Sequence, residues 1–194
     1  PLLNVKFDEV VEYIIESCFD SVGVFQEICK ESCLIAGIEN KVDRTYNITK
    51  LDVDKAIEKK LQDYSSRHLR CLETFIEQKA KSSQETPLYI PYYFVKILLT
   101  QTFEDITDGL KRRFLQESIK QIHHRPDDVR PSDMGYFLRN LVANQINKSI
   151  SPPLFDFDNS TNSVKIIDST FYFFMKNSNS SEILENLIPP EGAN

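Results

Sequence analysis

Arg130-Pro-Ser-Asp-Met-Gly-Tyr-Phe-Leu-Arg-Asn-Leu-Val-Ala-Asn-Gln145, then Pro152-Pro-Leu-Phe-Asp-Phe-Asp158, a polar turn and Val164-Lys-Ile-Ile-Asp168, is the stretch on which the fold turns. Its first part predicts an amphipathic helix from Pro131 to Lys148. Ser132 can cap it, and Asp133 puts a negative charge in the first turn, where the helix dipole favours one. Met134, Phe137, Leu138, Leu141, Val142, Gln145 and Ile146 follow three-and-four spacing and predict the inward face. Tyr136, Arg139, Asn140, Asn144, Asn147 and Lys148 fall on the other side. Farther on, Phe155 and Phe157 alternate with Asp156 and Asp158, and Val164 and Ile166 with Lys165 and Ile167. Period two predicts a hairpin with one packed face and one wet face, closed by Asn159-Ser-Thr-Asn162, whose residue types tolerate turn conformations.

A helix running straight into a short hairpin is the back half of a winged helix-turn-helix, and the upstream sequence supplies helices to complete it. Tyr93, Phe94, Ile97, Leu98 and Leu99 mark one helix behind Pro91, a residue suited to a first turn. Gly109 to Ile122 predicts a second, with Leu110, Phe114, Leu115, Ile119 and Ile122 inward. Asp168-Ser-Thr-Phe-Tyr-Phe-Phe-Met175 fits a capped helix or a third strand equally well. From Asn177 onward the chain is rich in Ser and Asn and is expected to fray, with Ile183, Leu184 and Leu187 available for a last docked turn.

The N-terminal part is helical throughout. Phe7, Val10, Val11, Ile14, Ile15, Cys18 and Phe19 form one apolar stripe, and Ser21-Val-Gly23 breaks it. A second helix from Val24 ends near Gly37, a residue able to take the left-handed cap conformation. From Leu51 to Lys79 no Pro or Gly intervenes, and Val53, Ile57, Leu61, Tyr64, His68, Cys71, Leu72 and Phe75 line one side of a long helix. Lys81-Ser-Ser-Gln-Glu-Thr-Pro87 is the expected domain junction. The sequence thus predicts a mainly α protein, with a helical bundle over residues 1–80, a winged helix-turn-helix with a small β-hairpin over 88–177, and a tail over 178–194.

An apolar fraction of 41% over 194 residues is enough for real cores without metals or disulfides. The net charge of −6 excludes a protein that coats nucleic acid or anionic membrane indiscriminately. The charge is uneven, however: residues 111–148 hold 8 Lys/Arg against 4 Asp/Glu and form the one positive segment. Cys18, Cys29, Cys33 and Cys71 lie in apolar helical patterns without a CxxC pair, which predicts reduced core thiols. His68 is expected in the core, and His123 and His124, adjacent on a helix, would point about 100° apart and could not grip one metal. No apolar run reaches the roughly 18 residues of a membrane span. A cytoplasmic protein is expected, and the abrupt start at Pro1 suggests a piece of a longer chain.

The order of an acidic helix pair around Ser21-Val-Gly-Val-Phe-Gln-Glu-Ile-Cys29, a long helix, and a winged helix ending in Pro-Pro-Leu-Phe-Asp-Phe-Asp158 and Val-Lys-Ile-Ile-Asp168 resembles the C-terminal portion of AAA+ or related STAND ATPases. In those proteins a helical lid precedes a winged helix. The chain has neither the phosphate-cradling GxxxxGK[ST] loop nor an acidic metal-binding strand, so the resemblance implies that nucleotide chemistry belongs to an upstream domain. Lys6 and Lys30 are available as lid cations, but nothing distinguishes either.

No catalytic constellation, cofactor motif or metal-ligand spacing stands out, and a non-catalytic module is expected. As a winged helix it would bind duplex DNA. Arg139, Asn140, Asn144 and Gln145 would face the major groove, where Arg reads guanine and Asn or Gln reads adenine. Lys111, Arg112, Arg113, Arg125, Arg130, Lys148 and Lys165 would hold phosphates. Asp156 and Asp158 beside the wing oppose this. The competing expectation is a protein partner, either an upstream ATPase domain of the same protein or another subunit, anchored through Tyr92, Tyr93, Tyr136 and Tyr172.

Overall fold

The computed structural model describes residues 4–19, 21–78 and 87–193 and is mainly helical, with ten α-helices and five short strands among them. The expected junction at 81–87 therefore lies, apart from Pro87, outside the described residues. The chain divides into two compact units, one of residues 1–66 and 169–178, the other of 67–168 and 179–194. These differ from the expected 1–80, 88–177 and 178–194, because the long helix contributes to both units, the segment after Asp168 returns to the first, and the tail joins the second.

The first unit begins with β1 (Val5–Lys6), α1 (Val11–Cys18) and α2 (Val22–Ile35). The Ser21 hydroxyl accepts from the Val24 N–H at the start of α2. Gly37, at φ 73°, ends that helix as expected, letting the Ile38 N–H return to the Cys33 carbonyl at 2.8 Å. β2 (Tyr46–Asn47) pairs in parallel with β1 and leads into α3 (Lys50–Ile76). Val10, Ile14, Val24, Ile28, Val53, Ala56 and Ile57 build the core of the unit together with Phe173.

The second unit is assembled in the order α4 (Ile90–Thr100), α5 (Phe103–Asp108), β3 (Leu110–Lys111), α6 (Arg112–Ile122), a 3-10 turn at Pro126–Asp128, α7 (Pro131–Arg139), α8 (Leu141–Asn147), β4 (Phe155–Asp158) and β5 (Ser163–Ile166). The predicted hairpin is present, with Phe155 opposite Ile166 and Phe157 opposite Val164. Leu110 and Lys111, expected inside a helix, instead add a third antiparallel strand beside β5, giving the sheet order β3-β5-β4. Phe75, Phe94, Phe137 and Phe155 meet in edge-on and tilted pairs, with Phe94 and Phe155 centroids 5.2 Å apart, and fill the centre of the unit.

The helix predicted from 131 to 148 is two helices. Asn140 (φ −101°, ψ 12°) separates them, and its side-chain amide donates to the Tyr136 carbonyl at 2.8 Å, competing with the backbone ladder. Ser132 lies within the first turn and is not the cap. The Asp133 carboxylate reaches back to the Arg130 N–H at 3.2 Å. Asp168 to Met175 resolves as a helix, α9 (Ser169–Asn177), which places Phe173 in the first unit's core. Beyond it, α10 (Ser180–Asn186) packs on α4 with Ile183 and Leu187 buried. The Tyr89 hydroxyl donates to the Glu191 carbonyl at 2.5 Å and the Tyr93 hydroxyl to the Ala193 carbonyl at 2.6 Å. The tail expected to fray is docked.

Gln145 fixes the hairpin to the helices. It is fully buried, its amide nitrogen donating to the Leu141 and Phe155 carbonyls at 3.0 and 2.8 Å. Its amide oxygen accepts from the Leu154 and Phe155 N–H groups at 2.7 and 3.0 Å. Both donors and both lone pairs are used. Gln145→Leu strips four backbone groups of their partner and is expected to destabilise the second unit by about 3 kcal/mol. Denaturant unfolding checks this, together with faster amide exchange at Leu154 and Phe155. A loss below about 1 kcal/mol with exchange unchanged would show that the hairpin is held by other means.

Candidate functional site

Arg112 opens α6 and Arg139 closes α7, and the two helices pack so that both guanidiniums converge on Gly135. A methyl group on Gly135 would sit 3.0 Å from Arg112 Nη2 and 3.1 Å from Arg139 Nη1. The missing side chain is what makes room for two cations side by side. Arg112 donates to the Pro131 carbonyl at 2.9 Å, and its backbone N–H donates to the Asn162 carbonyl at 2.9 Å. Neither arginine makes an ion pair with a described carboxylate. Like charges this close repel.

The turn between β4 and β5 completes this face. Lys111 on β3 is exposed and its ammonium donates to the Thr161 carbonyl at 3.2 Å. Asp158 Oδ1 accepts from both the Ser160 N–H (2.8 Å) and hydroxyl (2.5 Å), and Oδ2 accepts from the Thr161 hydroxyl at 2.8 Å. These bonds, the Ser160 hydroxyl's first, hold its carboxyl well below the usual carboxylate range. Asp156 faces Lys165 across the strands. Both acids that oppose an anionic partner are thus engaged locally, one by the turn and one beside a cation.

Of the other predicted site residues, Arg113 is exposed and bonded to Glu117 at 2.8 Å, Arg130 is exposed, and Asn144 is half-buried on α8. Four residues expected to contact DNA are instead engaged within the unit. Gln145 is internal, because its amide is the bridge to β4. Lys148 turns its ammonium onto the carbonyls at the end of α3, at 2.9 Å from those of Thr74 and Phe75 and also bonded to that of Glu77. Burial lowers its pKa. Arg125 reaches Asp128 at 3.4 Å, the Pro87 carbonyl at 3.3 Å and His124 Nε2 at 3.3 Å. Asn140 keeps its amide on Tyr136.

Lys120, Gln116 and Asn162 were not among the expected residues. Arg113, Glu117 and Lys120 recur at i, i+4 and i+7 on α6, and that polar stripe was the available signal. With Arg112, these residues line an open cleft of about 470 Å³ between α6 and the β4–β5 turn.

Among the described residues no group of three or more His, Cys, Asp or Glu could hold a metal ion. His123 and His124 lie beyond the end of α6 with rings stacked at 4.4 Å, correcting the expected divergence on a helix. His123 Nδ1 accepts from the Arg125 N–H, so Nε2 donates to the Leu88 carbonyl at 2.6 Å. Burial, then His123 and Arg125, lower the pKa of His124. None of the four cysteines is in a disulfide, and burial pushes the Cys29 thiol up to about 11. Among the described residues no helix is long and apolar enough to cross a membrane. No protein-family model matches the chain, and no curated protein or solved structure is significantly similar to it.

Because the folded pKa of Asp158 is depressed, its contribution to the hairpin turn is fully present above the unfolded value of about 3.9 and is lost as pH falls through the lower folded value. The Asp158 carboxyl-carbon shift is therefore expected to remain that of the ionised form at about pH 3. An ordinary Asp titration there would mean that the hydroxyl bonds of the turn do not form in solution.

Proposed function

We propose that the second unit is a winged helix that binds duplex DNA through its phosphates, as a non-catalytic part of a larger protein. The single observation that carries this is the convergence of Arg112 and Arg139 on Gly135 without a described carboxylate partner. The element order supports it: a helix, a strand, three helices and a hairpin, with the first strand returning to pair on the hairpin. Phosphate contacts would come from Lys111, Arg112, Arg113, Arg130 and Lys165, with Arg139 and Asn144 left to approach base edges. With Gln145 internal and Asn140 bonded to Tyr136, little remains for direct readout, so discrimination between sequences is expected to be weak. In the ATPase context that the sequence resembles, nucleotide hydrolysis would lie outside this chain. Tyr136 on α7 (68% exposed) and Ile146 on α8 (56%) favour a second reading, a protein partner seated on the same helices.

Fluorescence anisotropy with a duplex of mixed sequence separates the two. Affinity is expected to fall steeply with salt, and Arg112→Glu with Arg139→Glu to weaken it at least about tenfold at low salt. Duplex binding that is absent, or insensitive to salt and to both substitutions, overturns the proposal in favour of a protein partner.

Gly135→Ala isolates the geometry from the charge. Ala is the better helix former by about 1 kcal/mol, and the atoms it meets are the ends of flexible side chains. The variant is expected to unfold at an equal or higher temperature yet to bind duplex several-fold more weakly. Unchanged binding would mean that the paired guanidiniums are not the contact.

A further inference from the structure

The cleft between α6 and the wing tip is not needed to explain a helix face laid on DNA, yet it is built as a receptor for one anionic group. Its floor is fixed by the Asn162 carbonyl, which accepts the first N–H of α6, with Asn162 held at φ 51°. On one side Arg113 occupies Glu117, the one acid in the lining, so that carboxylate does not oppose an anion. Gln116 is steadied by the Val129 carbonyl at 3.4 Å. The Lys120 ammonium and the Asn162 side-chain amide have no hydrogen-bond or ion-pair partner among the described residues. Three cations against one engaged acid leave the lining positive. The forked guanidiniums and side-chain amides offer donors in several directions, a set that suits a tetrahedral phosphate better than a planar carboxylate. At about 470 Å³ the cleft has space for more than the phosphate alone.

We infer that this cleft binds a phosphate ester of nucleoside type, presented either by the DNA backbone or by a free nucleotide. For DNA, it rests on the function proposed above. There the cleft takes a phosphate and its sugar while α7 and α8 lie along the duplex, so that Lys120 and Asn162 contribute without touching a base.

The test uses the full chain, with duplex DNA, adenosine monophosphate and inorganic phosphate as probes. Lys120→Gln is expected to weaken duplex binding about fivefold at low salt and to reduce the salt slope by about one, as for the loss of one phosphate contact. Glu117→Gln should strengthen binding. The side-chain amide resonance of Asn162 and the guanidinium resonance of Arg112 should shift with adenosine monophosphate more than with phosphate alone. Lys120 is exposed, and an unchanged unfolding midpoint confirms that the variant is intact. If the nucleotide shifts these resonances but the chain binds no duplex, the cleft stands and the DNA function falls. If the duplex binds while Lys120→Gln leaves affinity and slope unchanged and the nucleotide moves neither resonance, the DNA function stands and the cleft falls. If no probe binds, both fall.

Discussion

One buried amide governs the second unit. Gln145 bridges α8 and β4 with four hydrogen bonds, and an amide in that position has no tolerance for slippage. A shift of one residue in β4 would turn Phe155 and Phe157 to solvent and bring the outward-facing Asp156 to the helix. The register of the hairpin, and with it the position of its turn beside α6, follows from this bridge and from the packing of Phe155 on Phe75 and Phe94. A polar residue in an apolar setting costs stability unless every bond is made; here each one is made, and the result is a single allowed arrangement.

Polar side chains in this unit divide between fixing the backbone and facing outward, and the division decides what the surface can do. Gln145, Lys148 and Asn140 each bond to main-chain carbonyls, and Arg125 is drawn to Asp128 and His124. Lys148 is the most demanding of these, since a half-buried ammonium needs acceptors and the carbonyls at the end of α3 need donors. Each satisfies the other. The cations without a described carboxylate partner, on Arg112, Arg139, Lys111, Lys120 and Lys165, come from α6, α7 and the sheet and not from α8.

Much of the fold was legible because its causes are local. Period two announced the hairpin, Gly37 and Pro91 punctuated their helices, and the stripe on α3 buries Val53, Leu72 and Phe75 as expected. What escaped the sequence depended on partners distant along the chain. Nothing near Lys148 signals that α3 ends beside it, more than 70 residues earlier in the sequence. Leu110 and Lys111 continue the pattern of the following helix and become a strand only because β5 offers an edge. The tail reads as polar, and its docking depends on carbonyls, which sequence does not display, meeting the hydroxyls of Tyr89 and Tyr93. At the candidate site, the arginines were visible as a positive segment, but their convergence was not. It requires the absence of a side chain at Gly135, a fact about space and not about charge.

That convergence also reconciles an acidic protein with the anionic partner proposed for it. A net charge of −6 acts at long range, and salt screens it within about 8 Å at physiological ionic strength. Contact with a phosphate is decided inside that distance, where Arg112, Arg139 and Lys120 face outward and Asp158 and Glu117 are held by a turn and by Arg113. The long-range field would slow encounter, and the local field would hold what arrives. Affinity should therefore respond far more to the placement of two or three guanidinium and ammonium groups than to the overall charge. A neutral substitution at Gly135 is accordingly a sharper perturbation of this face than removal of a distant acid.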